Sequence, residues 1–496
     1  MMRGQAAAHS RSFADDGEGG SVDPAFCDDF GGGREQSAFG LFSSLDLGSA
    51  GGQRRSHPLN VQIRTTSSNI DLLYDLPVSF ATASWGEQMA NGNALIATIF
   101  DADNHYWETS DAFTRHRDPK FAERGVRLVD IDGNGKPRYT FDGGRLHPII
   151  PGPGDVFNRP RPGSLYDYFA GKSDKGRLGG ELSSENPAEH PEWFNRDARL
   201  ACMDEQGVEA AWLFPSQGVC MEGPMQPDIE AALHILWAFN QWLEEDWGFA
   251  YKDRIFGVPF LTLSDVDQAV EQLQWCLDRG ARIVSIRNGP VFTPEGTKSP
   301  GDPTFDPFWA RVAEAGVVVA PHAGFEDGYV GVTRAVAEEW GRSATATGAG
   351  DAVDQYAGVI SMLMKHRLVR DFAAILVADK LFERHPGVRV AYIENGATWV
   401  GELLHGLQVL HGQNPGMFVR NPVDQFIENC WVAPFVEDSV PDLANHLPVE
   451  RILFGSDWPH AEGLGHPRDF FTNVEEFSLD DQYKIMQANA RQLTFA

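Results

Sequence analysis

A chain of 496 residues is long for one average domain but suits a barrel with insertions, and 42% hydrophobic residues supply a large core. A formal charge of −29 creates a field that repels nucleic acid and anionic membrane surfaces, which argues against both as partners. Five cysteines without a CxxC pair, no run of about 18 apolar residues and no apolar signal stretch near Met1 lead to the expectation of a cytoplasmic protein with reduced thiols.

Residues 1–93 are rich in Gly, Ser, Arg and Asp and show no sustained hydrophobic period. They are expected to form a poorly structured N-terminal extension, with 94–496 as the folded domain. Met89 and a short polar lead precede the first apolar run, so the first 88 residues are expected to be dispensable. From there the texture changes. Residues 95–100 (LIATIF) read as a buried parallel strand ending in acidic residues. Seven further runs follow at 210–214, 255–263, 283–286, 317–320, 388–393, 431–436 and 452–454. Helical patterns lie between most of them, at 229–247, 266–279, 307–315 and 372–385.

Eight apolar strands alternating with helices predict an α/β fold, a (β/α)8 barrel of TIM type. An open doubly wound sheet is the rival. Polar residues following the first, fifth, sixth and eighth runs favour the barrel, because closure brings all four ends to one mouth. Two long insertions leave that mouth, 108–196 after the first run and 325–370 after the fifth, the latter including the Gly/Ser-rich stretch 343–350. Loops of this length are expected to cover a substrate.

The chemistry sits at the run ends. Asp103 and His105, two apart, face the same side of a strand and suit a divalent cation. His322 follows the fifth run within PHAG; it is either a ligand or a core histidine bonded to a carbonyl. Asp457, in FGSDWPH, can bind metal, accept a proton from bound water, or cap a helix.

The order DxDxH, PHAG, FGSDWPHAEG resembles the amidohydrolase-related family that includes relatives of aminocarboxymuconate-semialdehyde decarboxylase. The resemblance runs from about residue 94 to the C-terminus. It implies a (β/α)8 barrel holding one or two divalent cations, commonly zinc, manganese or iron, and either hydrolysis or non-oxidative decarboxylation. The family's first-strand H-x-H pair falls on Asp103 and His105, its fifth-strand histidine on His322 and its eighth-strand aspartate on Asp457. Asp103 replaces a histidine, and Glu394 stands where many relatives have one. Both changes harden the site and shift preference toward manganese or iron. Glu394 either ligates, opening a two-cation site, or orients a ligand through a hydrogen bond.

His460 and Glu462 lie close enough to Asp457 to shuttle protons, and Asp457 with His460 is the expected acid–base pair. Arg287 could pair with a substrate carboxylate, and Trp107 and Trp458 could wall the substrate. The first expectation is hydrolysis of an amide, ester or thioester by metal-activated water. The alternative is decarboxylation of an aromatic or unsaturated carboxylic acid. Either reaction implies a small-molecule substrate, and both fit a lone chain or a homo-oligomer.

Overall fold

The computed structural model describes residues 96–147, 150–170, 184–324 and 366–496, plus two dipeptide strands, Thr65–Thr66 and Asn69–Ile70, which pair antiparallel. Contacts divide the chain into two compact units, Met1–Ala81 and Thr82–Ala496. Most of the expected N-terminal extension, and residues 325–365 of the second insertion with the 343–350 stretch, lie outside the described residues.

The second unit is mixed α/β with parallel strands. Strands β1 (Ile99–Tyr106), β2 (Val208–Pro215) and β3 (Ile255–Gly257) form one sheet in the order β3-β2-β1. A second holds β4 (Phe260–Leu261), β5 (Ile283–Ile286), β6 (Val318–Val319), β7 (Arg389–Tyr392) and β8 (Cys430–Val432) in chain order. The third predicted run is split between β3 and β4. Val258 N donates to Leu213 O at 2.9 Å and Ser285 N to Pro259 O at 2.8 Å, so the split run passes from one sheet to the other. The eighth run makes isolated ladder bonds instead of a full strand. Leu453 N donates to Val432 O and Ala102 N to Phe454 O, both at 2.9 Å, which links β8 to β1.

Successive strand residues face opposite sides, and both sides here are apolar. Phe100, Ala102, Trp212, Phe214, Val318 and Ala320 join one buried cluster, whereas Ile99, Leu213 and Val319 join the cluster that packs under the helices. Burial on both faces is the signature of a covered parallel sheet. The helices begin where predicted because a carboxylate caps them: Asp228 accepts from Ala231 N before Ile229–Asp246, and Asp265 from Gln268 N before Val266–Leu277. The predicted helix at 372–385 is instead two pieces, residues 366–378 and Leu381–Arg384, separated at Lys380, whose φ is 59°.

The first strand also departs from expectation. It starts four residues later than predicted and runs through the acidic motif, with all eight residues buried. A charged sequence can occupy a buried strand here because its leading acid is fully paired. Asp101 accepts from Ser456 N at 3.0 Å, Ser456 Oγ at 2.6 Å and Asn104 Nδ2 at 3.0 Å.

The first insertion contains a three-stranded antiparallel sheet (Arg127–Val129, Arg138–Phe141, Arg145–Leu146) and a helix, Ser164–Phe169. It docks on the segment after the eighth run: Gly163 N donates to His460 O at 3.0 Å and Leu165 N to Ala461 O at 2.8 Å. Among the described residues no helix is long and apolar enough to cross a membrane.

Candidate active site

Asp103 and His105 lie on β1, His322 three residues past β6, Glu394 two past β7 and Asp457 three past the eighth run. Their side chains converge. His105 Nε2 lies 3.3 Å from Asp103 Oδ1, 3.4 Å from Asp457 Oδ1 and 3.7 Å from Glu394 Oε2. His322 Nε2 lies 3.1 Å from Glu394 Oε2 and 3.4 Å from Asp103 Oδ1. Neither ring nitrogen of buried His105 has a hydrogen-bond partner. The other histidine is polarised: its Nδ1 donates to the Ala323 carbonyl at 2.7 Å, which leaves the Nε2 lone pair facing the carboxylates. Bonds of about 2.1 Å to one cation place neighbouring donors about 3.0 Å apart in an octahedron and about 3.4 Å in a tetrahedron. Four of the five spacings fall in that range and the fifth, His105 to Glu394, is 3.7 Å, so this donor set fits a divalent cation.

Electrostatics point the same way. Burial, reinforced by the Asp457 charge, pushes the Glu394 carboxyl well above its usual range. Burial and the charges of Glu462 and Asp103 do the same to Asp457. At Asp103 burial also pushes upward, but the two imidazoles beside it, His105 and His322, outweigh it and hold the group at about 2. Carboxylates this close resist shared ionisation, and a cation among them removes the conflict. Two of these acids also sit on unusual backbone: φ is 52° at Glu394 and 56° at Asp457, a left-handed conformation that costs a non-glycine residue about 1 kcal/mol or more.

His105, His322 and Glu394 line a cavity of about 460 Å³, while Asp103, Glu394 and Asp457 line a smaller one of about 180 Å³. Trp107, Ile150, Pro151, Arg159 and Ser216 line the sides of the larger one together with His460. The guanidinium of Arg159 stacks 4.2 Å from the Trp107 ring and donates to Gly152 O at 3.1 Å. From the cluster a polar chain runs along the wall: Asp457 Oδ1 to His460 Nδ1 at 2.6 Å, then His460 Nε2 to Ser216 Oγ at 2.8 Å.

The model of the amidohydrolase family matches residues 100–494. The chain belongs to this family. A gamma-resorcylate decarboxylase of Rhodococcus jostii is 27% identical over 333 residues, covering 60% of this chain and 87% of that protein. One from a Rhizobium species is 26% identical and covers 60% and 86%. Among solved structures, an amidohydrolase from Mycobacterium avium subsp. paratuberculosis K-10 is 39% identical with a TM-score of 0.72, covering 80% of this chain and 98% of that one. The chain is thus an enzyme whose curated relatives belong to the decarboxylase branch of the amidohydrolase superfamily, the family that its three motifs resemble.

Of the residues singled out in the sequence of this amidohydrolase, the structure brings Asp103, His105, His322, Glu394, Asp457 and His460 together, with Trp107 on the cavity wall and Glu462 beside it. Two lie outside the cavity lining. Arg287, whose backbone bridges to that of His322, donates to Pro290 O at 2.5 Å and lies 4.2 Å from the Phe292 ring. Trp458 is buried against the guanidinium of Arg199, 4.5 Å away. Sequence reasoning missed Asp101, Arg159 and Ser216. The first was visible as the leading acid of the DxDxH motif and Ser216 as the polar residue directly after β2; Arg159 lies in a loop with no local pattern and gains meaning only from contacts across the fold.

Proposed function

We propose that this amidohydrolase is a divalent-metal-dependent, non-oxidative decarboxylase of an aromatic carboxylic acid, with its two parallel sheets closed into one (β/α)8 barrel. The hydrogen bonds at both seams between the sheets support the closure, as does family membership. The observation that carries the functional reading is the convergence of three carboxylates and two imidazoles where two cavities share Glu394, with a hydrogen-bonded Asp–His pair beside them.

Asp103, His105, His322, Glu394 and Asp457 would hold the cation. His105 Nε2 faces all three carboxylates, and one imidazole nitrogen serves one metal, so the arrangement favours a single cation over the two-cation alternative. When bound, a divalent cation supplies Lewis-acid charge for an anionic substrate group. The chain's own residues do the rest. Trp107, Ile150 and Pro151 exclude water and hold a planar ring, and Arg159 offers a cation to an acidic substituent. The His460–Asp457 pair delivers a proton to the ring carbon bearing the carboxylate. The bond from that carbon to the carboxylate then breaks, its electron pair restores the ring, and CO2 leaves. A proton from solvent recharges the pair.

Hydrolysis, the first expectation from sequence, uses the same donors. Decarboxylation is the better supported reading because the Rhodococcus and Rhizobium relatives, matched over 87% and 86% of their lengths, are decarboxylases. The test is a panel of hydroxybenzoic acids, esters, amides and thioesters offered to protein loaded with manganese, iron or zinc. CO2 release from an aromatic acid is the expected result. Acid release from an ester or amide, with no CO2 from any carboxylate, would replace this reading with hydrolysis.

A further inference from the structure

The chain Asp457–His460–Ser216 has the connectivity of a Ser-His-Asp triad, and the direction of its last hydrogen bond decides what it does. Ser216 follows directly on β2 and lines the cavity. Its Oγ lies 2.6 Å from the carbonyl oxygen of Tyr106 and 2.8 Å from His460 Nε2. A carbonyl only accepts, and a serine hydroxyl has one proton. That proton is committed to Tyr106, so Ser216 turns lone pairs toward His460, and His460 Nε2–H donates to it. In a nucleophilic triad the polarity is opposite, with the serine donating to a bare imidazole nitrogen.

We propose that Ser216 is a positioning residue that holds the His460 ring with Nε2 protonated and Nδ1 directed at Asp457. The ring cannot turn over without losing a partner at each nitrogen. One hydrogen bond of 2.6 Å then joins Nδ1 to Asp457 Oδ1, beside the metal-site residues. His460 also packs against neighbours on two sides, its ring centroid 4.0 Å from that of His105 and 5.1 Å from that of Trp107. The loop carrying Ser216 is itself anchored. Gln217 N and Gly218 N both donate to Glu108 Oε1 at 2.8 Å, and Gln217 Nε2 donates to Gly152 O at 2.8 Å. Four hydrogen bonds, counting that to Tyr106, thus set where the hydroxyl stands.

Only the use made of the His460–Asp457 pair rests on the decarboxylase reading. The experiment therefore has one arm that needs no substrate. In zinc-loaded protein labelled with ¹⁵N-histidine, His460 is expected to show a protonated Nε2 in wild type, and Ser216→Ala to shift that pattern. With the best acid of the panel, Ser216→Ala is expected to lower kcat by about ten- to a hundredfold, leaving KM and metal content unchanged. Ser216→Thr, which keeps the hydroxyl, is expected to restore both the spectrum and most of the rate.

An unchanged His460 spectrum in Ser216→Ala would overturn the proposal, whatever reaction the enzyme catalyses. So would labelling of Ser216 by a fluorophosphonate, which would make it a nucleophile. A serine-dependent Nε2–H signal in protein that decarboxylates nothing would uphold the positioning role and remove the decarboxylase reading instead.

Discussion

Asp457 has two partners for one oxygen. Its Oδ1 lies 3.4 Å from His105 Nε2, on the cation side, and 2.6 Å from His460 Nδ1, on the proton side. An amide in its place keeps the shape and one neutral ligating oxygen but removes the acidic group hydrogen-bonded to His460. Asp457→Asn, assayed at full metal occupancy, is expected to lose about 10² to 10⁴ in kcat, the usual worth of a positioned acid or base. Near-normal turnover would move the acid–base role elsewhere. Glu394 tests the cation count. Wild type is expected to hold one cation per chain by elemental analysis, and Glu394→Ala to bind it about ten- to a hundredfold more weakly; two cations in wild type would refute the single-cation reading. These acids and histidines were readable in the sequence because each lies in or just after an apolar run, where a polar residue has little other reason to be. Arg159 carries no such mark, and Ser216, though it stands just after the second run, is a lone hydroxyl in no motif. Ser216 meets His460 across 244 positions of sequence, and nothing in the short segment around either residue encodes that contact.

At the level of elements, the seam between β1 and the eighth run determines whether the site residues meet at all. The seam is bound by Ser456, whose N and Oγ donate to Asp101, and by Asp457 N, which donates to Asp103 O at 2.8 Å. It closes only because residue 455 is glycine: a Cβ there would stand 2.4 Å from the Cβ of Asp103. Gly455→Ala therefore has to push β1 and the run apart, at an overpacking cost of about 1–3 kcal/mol. The expected result is a melting temperature lower by a few degrees, about 2–4 °C per kcal/mol in a large domain, together with weakened metal binding. Unchanged metal affinity would show that the seam does not set the donor geometry. Order and type of the strands were readable from the apolar runs, but their ends were not. The first strand was placed too early because its apolar run ends at Phe100, and the buried partners of Asp101 and Asp103, 355 and 219 positions away, are not visible in the sequence. The break at Lys380 was hidden for a different reason, since helical periodicity continues across it while a single left-handed residue does not disturb the pattern.

For the whole molecule, the question is how much of the chain the site needs. Every proposed ligand, cavity wall and hydrogen-bonded seam named above lies in the unit Thr82–Ala496, and the family match begins at residue 100. The segment ahead of it lacks the hydrophobic period that would supply a core face, and its composition is that of chains that bury little apolar surface. A chain comprising Thr82–Ala496 is therefore expected to keep the metal content and turnover of the full protein. Its melting temperature should stay within about 2 °C, which for a domain of this size corresponds to less than about 1 kcal/mol. Calorimetry, elemental analysis and light scattering on the two chains side by side provide the comparison. A contribution of residues 1–81 to the enzyme unit would emerge in one of two ways. If they cover apolar surface of the enzyme unit, truncation lowers the melting temperature by many degrees, because an exposed patch costs about 25 cal/mol for each Å² returned to water. If they join subunits, the shorter chain has a smaller mass in solution at an unchanged metal content. Either result would make the first 81 residues a working part of this amidohydrolase, and would set aside the expectation that they are dispensable.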